Sequence, residues 1–373
     1  MKFVDIFSGG GGLSLGLKWA GFSPLAAIDS SSSAISTYST NFPEADAICA
    51  DLRTMNGINK ASSLLSDVDV LIGGPPCQGF SVANRKNGGR KHPGTQASWA
   101  FFKIIKKAKP KVFLMENVTG IKYMERGKIW NEILKIISKA GYYYIELTLS
   151  AKTFGVPQNR ERIFLIGFKD NDTVLSVDNA LKDSIIEVFK FLGIKNRTNT
   201  VWTAISDLPT LDVGGGGSDF SEYKSKPATK YQKWARKGCN SELWNHWTTR
   251  SGEKSLKKIM CIPPGLSLKK IFSGLPYELR MHFKNPDALH SNIYRRLDPK
   301  LPSPTITHPR KSMLIHPYQH RVITVREAAR LQSFPDSFIF KGGLHNQMQQ
   351  VANAVPPLLA MAVGIVLRRL LDD

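Results

Sequence analysis

Short apolar runs alternate with helix-like stretches through the first half of the chain, and this alternation limits the fold more than any single residue does. The runs Phe3 to Phe7, Leu25 to Ile28, Ala47 to Cys49, Val68 to Ile72, Val112 to Met115 and Tyr143 to Leu149 read as strands. Between them, Leu13 to Trp19, Ala34 to Thr40, Trp99 to Ala108 and Ile129 to Ala140 carry apolar residues at helical spacing. Such alternation predicts an α/β fold with a doubly wound, mostly parallel sheet. Arg162 to Phe168 reads as a further strand, antiparallel because no helix-length crossover precedes it.

The 373 residues, 42% of them hydrophobic, can bury a substantial core, and the length suits one large domain with a smaller one. From about Asp170 to His290 the periodicity fades, and turn residues gather at Gly214 to Gly217, Pro263-Pro264-Gly265 and Pro276. The expected partition is a doubly wound domain over 1–175 plus 345–373 and a second, smaller domain over 176–344. The glycine run Gly214 to Gly217 reads as a surface loop, since no helix with a Lys-Ser/Thr ending follows it.

Lys and Arg number 51 against 30 Asp and Glu, a net charge of +21. The surplus favours a polyanionic partner, although charge alone leaves nucleic acid, an anionic membrane and mere solubility open. Between Asp219 and Lys300 stand 17 Lys/Arg and 7 Asp/Glu, interleaved with Tyr231, Trp234, Trp244 and Trp247. Basic residues mixed with aromatics there read as a nucleic-acid face. The four cysteines, Cys49, Cys77, Cys239 and Cys261, show neither a Cys-x-x-Cys pair nor zinc-ligand spacing, which predicts a reduced, cytoplasmic protein without a structural metal. The first twenty residues carry Asp5 and a glycine run where a signal peptide would need a basic start and an apolar block. The apolar tract Val351 to Leu367 is interrupted by Asn353 and Pro356-Pro357, so it reads as a packed terminal helix and no membrane partner is expected. No heptad seam for a coiled-coil dimer appears.

Gly73-Gly74-Pro75-Pro76 ends the run before it abruptly, because proline fixes its own backbone angle and lacks the ladder donor. Cys77 then sits on a rigid turn at a strand's carboxyl end, the edge where open α/β sheets build their sites. An inert buried thiol is the plainer reading of a lone cysteine. Near the amino terminus a run ending at Phe7, the glycines Gly9 to Gly12 and a helix from Leu13 form the first β-α turn of a nucleotide-binding fold. Ser14 stands where a dinucleotide fingerprint from Gly9 needs its third glycine, which weakens a dehydrogenase reading. Asp29 closes the next apolar run, placed to accept hydrogen bonds from ribose hydroxyls, and Asp51 follows the third. Both carboxylates could instead cap the helices that follow them.

Five stretches, in order, carry a family resemblance: Asp5-Ile6-Phe7-Ser8-Gly9-Gly10-Gly11-Gly12, Gly73-Gly74-Pro75-Pro76-Cys77-Gln78, Met115-Glu116-Asn117-Val118, Gly155-Val156-Pro157-Gln158-Asn159-Arg160-Glu161-Arg162 and Gln350-Val351-Ala352-Asn353-Ala354-Val355-Pro356-Pro357. With Thr324-Val325-Arg326-Glu327-Ala328-Ala329-Arg330, they resemble the bacterial DNA (cytosine-5)-methyltransferases of type II modification systems. The resemblance implies that the larger domain binds S-adenosyl-L-methionine, through Phe7, Gly9, Gly11, Gly12, Asp29, Asp51 and Asn353. It makes Cys77 the nucleophile, with Glu116, Arg160 and Arg162 as its catalytic companions. It further implies substrate contacts from Pro76, Gln78, Ser81, Arg85, Gln158 and Arg295, the last in a motif that scaffolds a target-recognition domain. Double-stranded DNA is the implied partner, with a restriction endonuclease as a functional counterpart in a bacterial cytoplasm.

The chemistry asked of these residues is specific. Carbon-5 of cytosine is a poor nucleophile until a thiolate adds at carbon-6. Arg160, Arg162, Arg85 and Lys86 supply an electropositive neighbourhood that would raise the thiolate fraction of Cys77. Glu116 can hydrogen-bond the ring nitrogen and the exocyclic amine, and strand alternation puts Arg160 and Arg162 on one face. The basic, glycine-rich stretch Ser81 to Ala97 suits a phosphate-contacting loop or a merely solvated one. Two departures from the family pattern stand out. Ser30 replaces the large apolar residue that often covers the adenine, leaving a weaker hold or a substitute in Ile28, and His92-Pro93-Gly94 replaces an Asp-Pro-Arg. Methylation of RNA and a catalytically dead DNA-binding homologue stay open beside the DNA reading.

Overall fold

The structure is a computed structural model that describes residues 1–66, 68–76, 93–169, 177–195, 198–212, 220–239, 241–281 and 293–372. It divides into two compact units, one of Met1–Phe154, Glu161–Val188 and Val355–Asp373, the other of Gly155–Arg160 and Phe189–Ala354. The boundaries expected at 176 and 344 shift accordingly: 177–188 fall in the first unit, and 155–160 and 345–354 in the second.

The first unit is built on seven strands: β1 (Lys2–Ile6), β2 (Ser23–Asp29), β3 (Asp46–Cys49), β4 (Val70–Gly73), β5 (Val112–Asn117), β6 (Tyr143–Ser150) and β7 (Glu161–Phe168). They lie in the order β3-β2-β1-β4-β5-β7-β6, with β7 antiparallel to both its neighbours and the remaining pairs parallel. Every residue of β4 and β5 is buried, as central strands covered on both faces require, whereas β6 at the edge exposes Tyr143 and Tyr144. Five helices follow β1 to β5 in turn: α1 (Gly12–Trp19), α2 (Ser32–Asn41), α3 (Met55–Ser63), α4 (Pro93–Ala108) and α5 (Lys128–Lys139).

Helix Pro357–Asp372 returns to this unit and packs on α1 through glycines. A Cβ on Gly16 would fall 2.3 Å from Ala360 Cβ, and one on Gly364 would fall 2.7 Å from Ala20 Cβ. The absence of side chains at these two positions lets the helix backbones meet. The apolar window within 344–372 is hydrophobic enough for a membrane span by composition, yet 89% of it is buried inside the fold. Under the sheet, Phe101, Phe113 and Tyr142 meet edge to face, and Gly167 makes room for Phe113, whose Cε1 lies 2.0 Å from where a Cβ would stand.

The second unit contains short helices and two-stranded ladders, as the fading periodicity predicts. Its interior is held by buried charge. Arg330 donates to Asp207 Oδ1 and Asp336 Oδ2 at 2.6 Å each, and Arg321 forms a forked pair with Glu327 at 2.7 and 2.8 Å. Arg296 donates to the carbonyls of Ile262, Ile259, His316 and Gln319, tying loops around the small cluster of Ile259, Ile262, Leu268, Leu275 and Ile315.

Candidate active site

The strand β1 hands over to the glycine loop through Phe7, a non-glycine residue held in the left-handed region at φ 58°. Left-handed backbone outside glycine is strained and marks functional turns. Gly9 (φ 53°) and Gly11 (φ 94°) continue it. A Cβ on Gly11 would strike Phe42 at 2.6 Å, while one on Gly9 would meet no atom within 4 Å, so the loop presents bare backbone and open room there. Asp29 ties the loop to the second strand, because its Oδ2 accepts from Gly9 N at 2.9 Å and its Oδ1 from Ser31 N at 2.8 Å. Burial pushes the Asp29 carboxyl above the usual carboxylate range, against the pull of those backbone N–H groups.

Neither carboxylate caps the helix that follows it. Ser31 caps α2 and Thr54 caps α3, each with its own hydroxyl. Asp51 instead accepts a forked hydrogen bond from Arg53, at 2.9 Å from Nε and 2.7 Å from Nη2, and that guanidinium holds its carboxyl below the ordinary value. The β2/β3 register sets Asp29 opposite Cys49, so Asp29 and Asp51 leave the same carboxyl edge. Ser30 is exposed, but Ile28 is fully buried in the core and offers no face to a ligand; the substitution of Ile28 for an adenine-covering residue is therefore corrected. A group that sequence reasoning missed lies beneath the loop. Ser14 donates to Asp5 Oδ2 at 2.6 Å and accepts from the Tyr38 hydroxyl at 2.9 Å, and burial raises the Asp5 carboxyl to about 8. Loop and Asp29 together form an anchored turn with open room at Gly9, which fits the close approach of an adenosyl cofactor, and Asp51 follows the same sheet edge.

At the next strand end the chain is clamped. A Cβ on Gly73 would fall 2.3 Å from Ile6 O, so β4 closes tightly against β1. Beyond it, Asn117 Nδ2 donates to Pro75 O at 3.2 Å, and Ser98 Oγ donates to Pro76 O at 2.9 Å. Where a Gly74 Cβ would stand, Glu116 Oε2 is 3.1 Å away. The segment that enters Cys77 is thus fixed beside Glu116, while Cys77, Gln78, Ser81 and Arg85 themselves lie outside the described residues. Glu116 is 8% exposed, and its Oε1 lies 2.7 Å from Arg162 Nε across the antiparallel β5/β7 pair. A charge-assisted contact of this length orients both groups at the strands' shared edge.

In the second unit the remaining residues of the β7 motif take other parts. Gln158 is fully buried, with its Oε1 accepting from Ile306 N at 3.0 Å and its Nε2 donating to Leu331 O at 3.3 Å. Arg160 is 2% exposed and donates to Ile306 O at 3.2 Å and Ala352 O at 3.0 Å. The expected common face for Arg160 and Arg162 does not form, because the strand begins at Glu161 and Arg160 precedes it as a backbone brace. Asn353 ends helix Leu344–Asn353, exposed, accepting from Gln349 at 2.8 Å. Arg295 is half-buried in a two-residue ladder with Leu314, next to the fully enclosed Arg296. Among the described residues no group of three or more His, Cys, Asp or Glu could hold a metal ion.

A glycine loop anchored by a strand-end carboxylate, a clamped Pro-Pro turn and a buried acid paired with arginine agree with a C-5 cytosine-specific DNA methylase, whose family model matches residues 1–369. The chain belongs to that family and is a DNA (cytosine-5)-methyltransferase. It is 36% identical to the type II methyltransferase M.DdeI of Desulfomicrobium norvegicum, over 98% of this chain and 88% of that one. It is 32% identical to M.AgeI of Thalassovita gelatinovora, over 98% of both chains. A crystal structure of a prophage-encoded E. coli protein described as a DNA modification methyltransferase matches it with TM-score 0.73 and 27% identity, over the whole of both chains.

Proposed function

We propose that the protein methylates carbon-5 of a cytosine extruded from a specific double-stranded DNA sequence, through a transient covalent bond to Cys77. Supporting this is the contact geometry on either side of the Pro-Pro turn: Gly74 packs against Glu116, and Asn117 and Ser98 hold the two prolines. The last described residues before Cys77 are therefore held beside Glu116, which Arg162 contacts at 2.7 Å.

The cofactor we assign to the Gly9–Asp29 cradle is S-adenosylmethionine, which supplies an electrophilic methyl group when bound. Within the site, the Cys77 thiolate adds to carbon-6 of the cytosine, and Glu116 hydrogen-bonds the ring edge and delivers a proton as charge builds there. Arg162 holds Glu116 in place and offers a donor to the base's carbonyl oxygen. Once carbon-5 carries the methyl group, loss of its proton to water expels the Cys77 thiolate, and Glu116 takes back the proton it delivered, which restores the aromatic ring. The base must leave the helix to reach these groups, at a cost of about a few kcal/mol. Action as a monomer in a bacterial cytoplasm, alone or beside a restriction endonuclease, completes the proposal.

A duplex containing 5-fluorocytosine tests it, because fluorine at carbon-5 blocks the elimination and traps the adduct. Wild-type protein with cofactor should form a denaturation-resistant complex that Cys77→Ser abolishes. A labelled methyl group that reaches transfer RNA and no duplex would overturn the DNA reading, and an adduct surviving Cys77→Ser would overturn the nucleophile.

A further inference from the structure

Immediately after the Glu116 strand, the chain makes a strained turn whose role the reaction leaves unassigned. The segment Thr119–Gly127 carries two consecutive non-glycine residues in the left-handed region, Glu125 (φ 47°, ψ 42°) and Arg126 (φ 57°, ψ 36°), followed by Gly127 at φ 85°. Such strain persists only where the surroundings enforce it, and both flanks do so here. Ile121 is 1% exposed, Lys122 pairs with Glu146 at 2.8 Å, and Ile129 and Trp130 anchor the start of α5. Trp130 Nε1 also donates to Glu146, so one carboxylate fastens both sides of the turn. Between the anchors, Tyr123 stands 79% exposed, with Arg126 and Lys128 exposed beside it.

We propose that this turn is a DNA-backbone contact flanking the extruded base, with Arg126 on a phosphate and the Tyr123 ring against a deoxyribose. The inference rests on the double-stranded DNA reading above and adds a surface to it. Three observations carry it. The turn leaves the carboxyl edge of β5 two residues after Asn117, so it borders the edge that Glu116 and Arg162 occupy. Its exposed groups are cationic and aromatic, with Glu125 as the single acid from Thr119 to Lys128, which suits a polyanion better than an apolar protein face. And a large aromatic ring held in water on a rigid, strained turn loses little conformational freedom when it meets a partner.

Fluorescence anisotropy with a mixed-sequence duplex, at salt concentrations from 50 to 200 mM, reads the contact on the full chain. Arg126→Gln should weaken binding about fivefold and flatten the slope of log affinity against log salt by about 0.9, the signature of one lost phosphate contact. Arg126→Lys should restore that slope. Tyr123→Ala should raise KM for DNA about fivefold while KM for the cofactor and the melting temperature stay unchanged. Wild-type protein that methylates duplex, together with variants matching it in affinity, slope and KM, overturns this inference and leaves the function standing. A wild type that neither binds nor methylates any duplex overturns both.

Discussion

Glu116 Oε1 and Arg162 Nε stand 2.7 Å apart, both about nine-tenths buried, on strands that run in opposite directions. Only the antiparallel insertion of β7 next to β5 makes this meeting possible, since it brings the start of one strand alongside the end of the other. The acid and its orienting cation therefore depend on one topological irregularity in an otherwise parallel sheet. Glu116→Gln keeps the shape but cannot deliver a proton, and methyl transfer should fall by about 10² to 10⁴. Arg162→Ala should lower it as well, with a melting temperature reduced because the buried Glu116 carboxyl loses its 2.7 Å ion pair with Arg162. Labelled-methyl transfer and thermal melts of the two variants check this; full activity in Glu116→Gln would remove the acid from the mechanism.

The two side chains that hold the proline carbonyls offer a different kind of test. Ser98→Ala and Asn117→Ala each remove one donor from the Pro75-Pro76 turn without touching cofactor residues. A shift of about 1 Å in a nucleophile costs about a hundredfold in rate, so the double variant should lose between tenfold and a hundredfold in single-turnover methylation. Cofactor affinity measured by titration should stay as in the wild type. An equal loss of both would mean that the clamp serves the fold at large.

Much of this arrangement was legible in the sequence, for reasons that differ from residue to residue. The buried strands announce themselves as unbroken apolar runs, and the Pro-Pro stop shows where one of them ends. Asp29 is readable as a strand-end carboxylate because it terminates such a run. Helix α3 is not, since Met-Asn-Gly-Ile-Asn-Lys-Ala-Ser-Ser carries few apolar positions, and the helix depends on the Thr54 cap and the close seat of Gly57 on Asp51 O. Arg160 and Arg162 look alike in sequence, two residues apart, and only the onset of β7 between them separates a buried brace from a site arginine. The Asp5, Ser14 and Tyr38 chain joins residues far apart in sequence, which no local pattern reveals.

Asp5 gives the fold a pH dependence of definite sign. Burial foremost, with Asp29's charge adding to it and the Ser14 hydrogen bond opposing, raises its carboxyl from 3.8 to about 8 in the folded chain. Between those values the folded state keeps a proton that the unfolded state releases, so stability falls as pH rises through the window. The contribution is complete below 3.8 and gone above 8. Asp5→Asn cannot titrate, so the wild type should lose stability relative to it by on the order of 1 kcal/mol per pH unit from pH 5 to 7. Chemical denaturation of both proteins across that range measures the difference, and parallel curves would show Asp5 ionising at an ordinary pH.

Arg330 makes the opposite prediction at low pH. Its guanidinium joins Asp207 and Asp336 with all three side chains fully buried, and Asp336 also accepts from the Tyr223 hydroxyl and Arg330 Nε. Burial alone would raise the Asp336 carboxyl, but the attraction and hydrogen bonds of Arg330 outweigh it and hold the group below its ordinary value. A depressed carboxyl stabilises the fold above its unfolded value near 3.8, and that support is lost as pH falls further. Arg330→Met removes the cation shared by the two buried carboxylates, leaving Asp207 with Arg236 at 2.6 Å and Asp336 with Arg326 at 3.7 Å, and should cost about 3 kcal/mol. Asp336→Asn keeps the shape and leaves the Asp207 pair intact, so it should cost less and soften the acid limb of the stability profile. Equal melting temperatures for Arg330→Met and the wild type would mean that the buried charges contribute nothing to this unit beyond filling space.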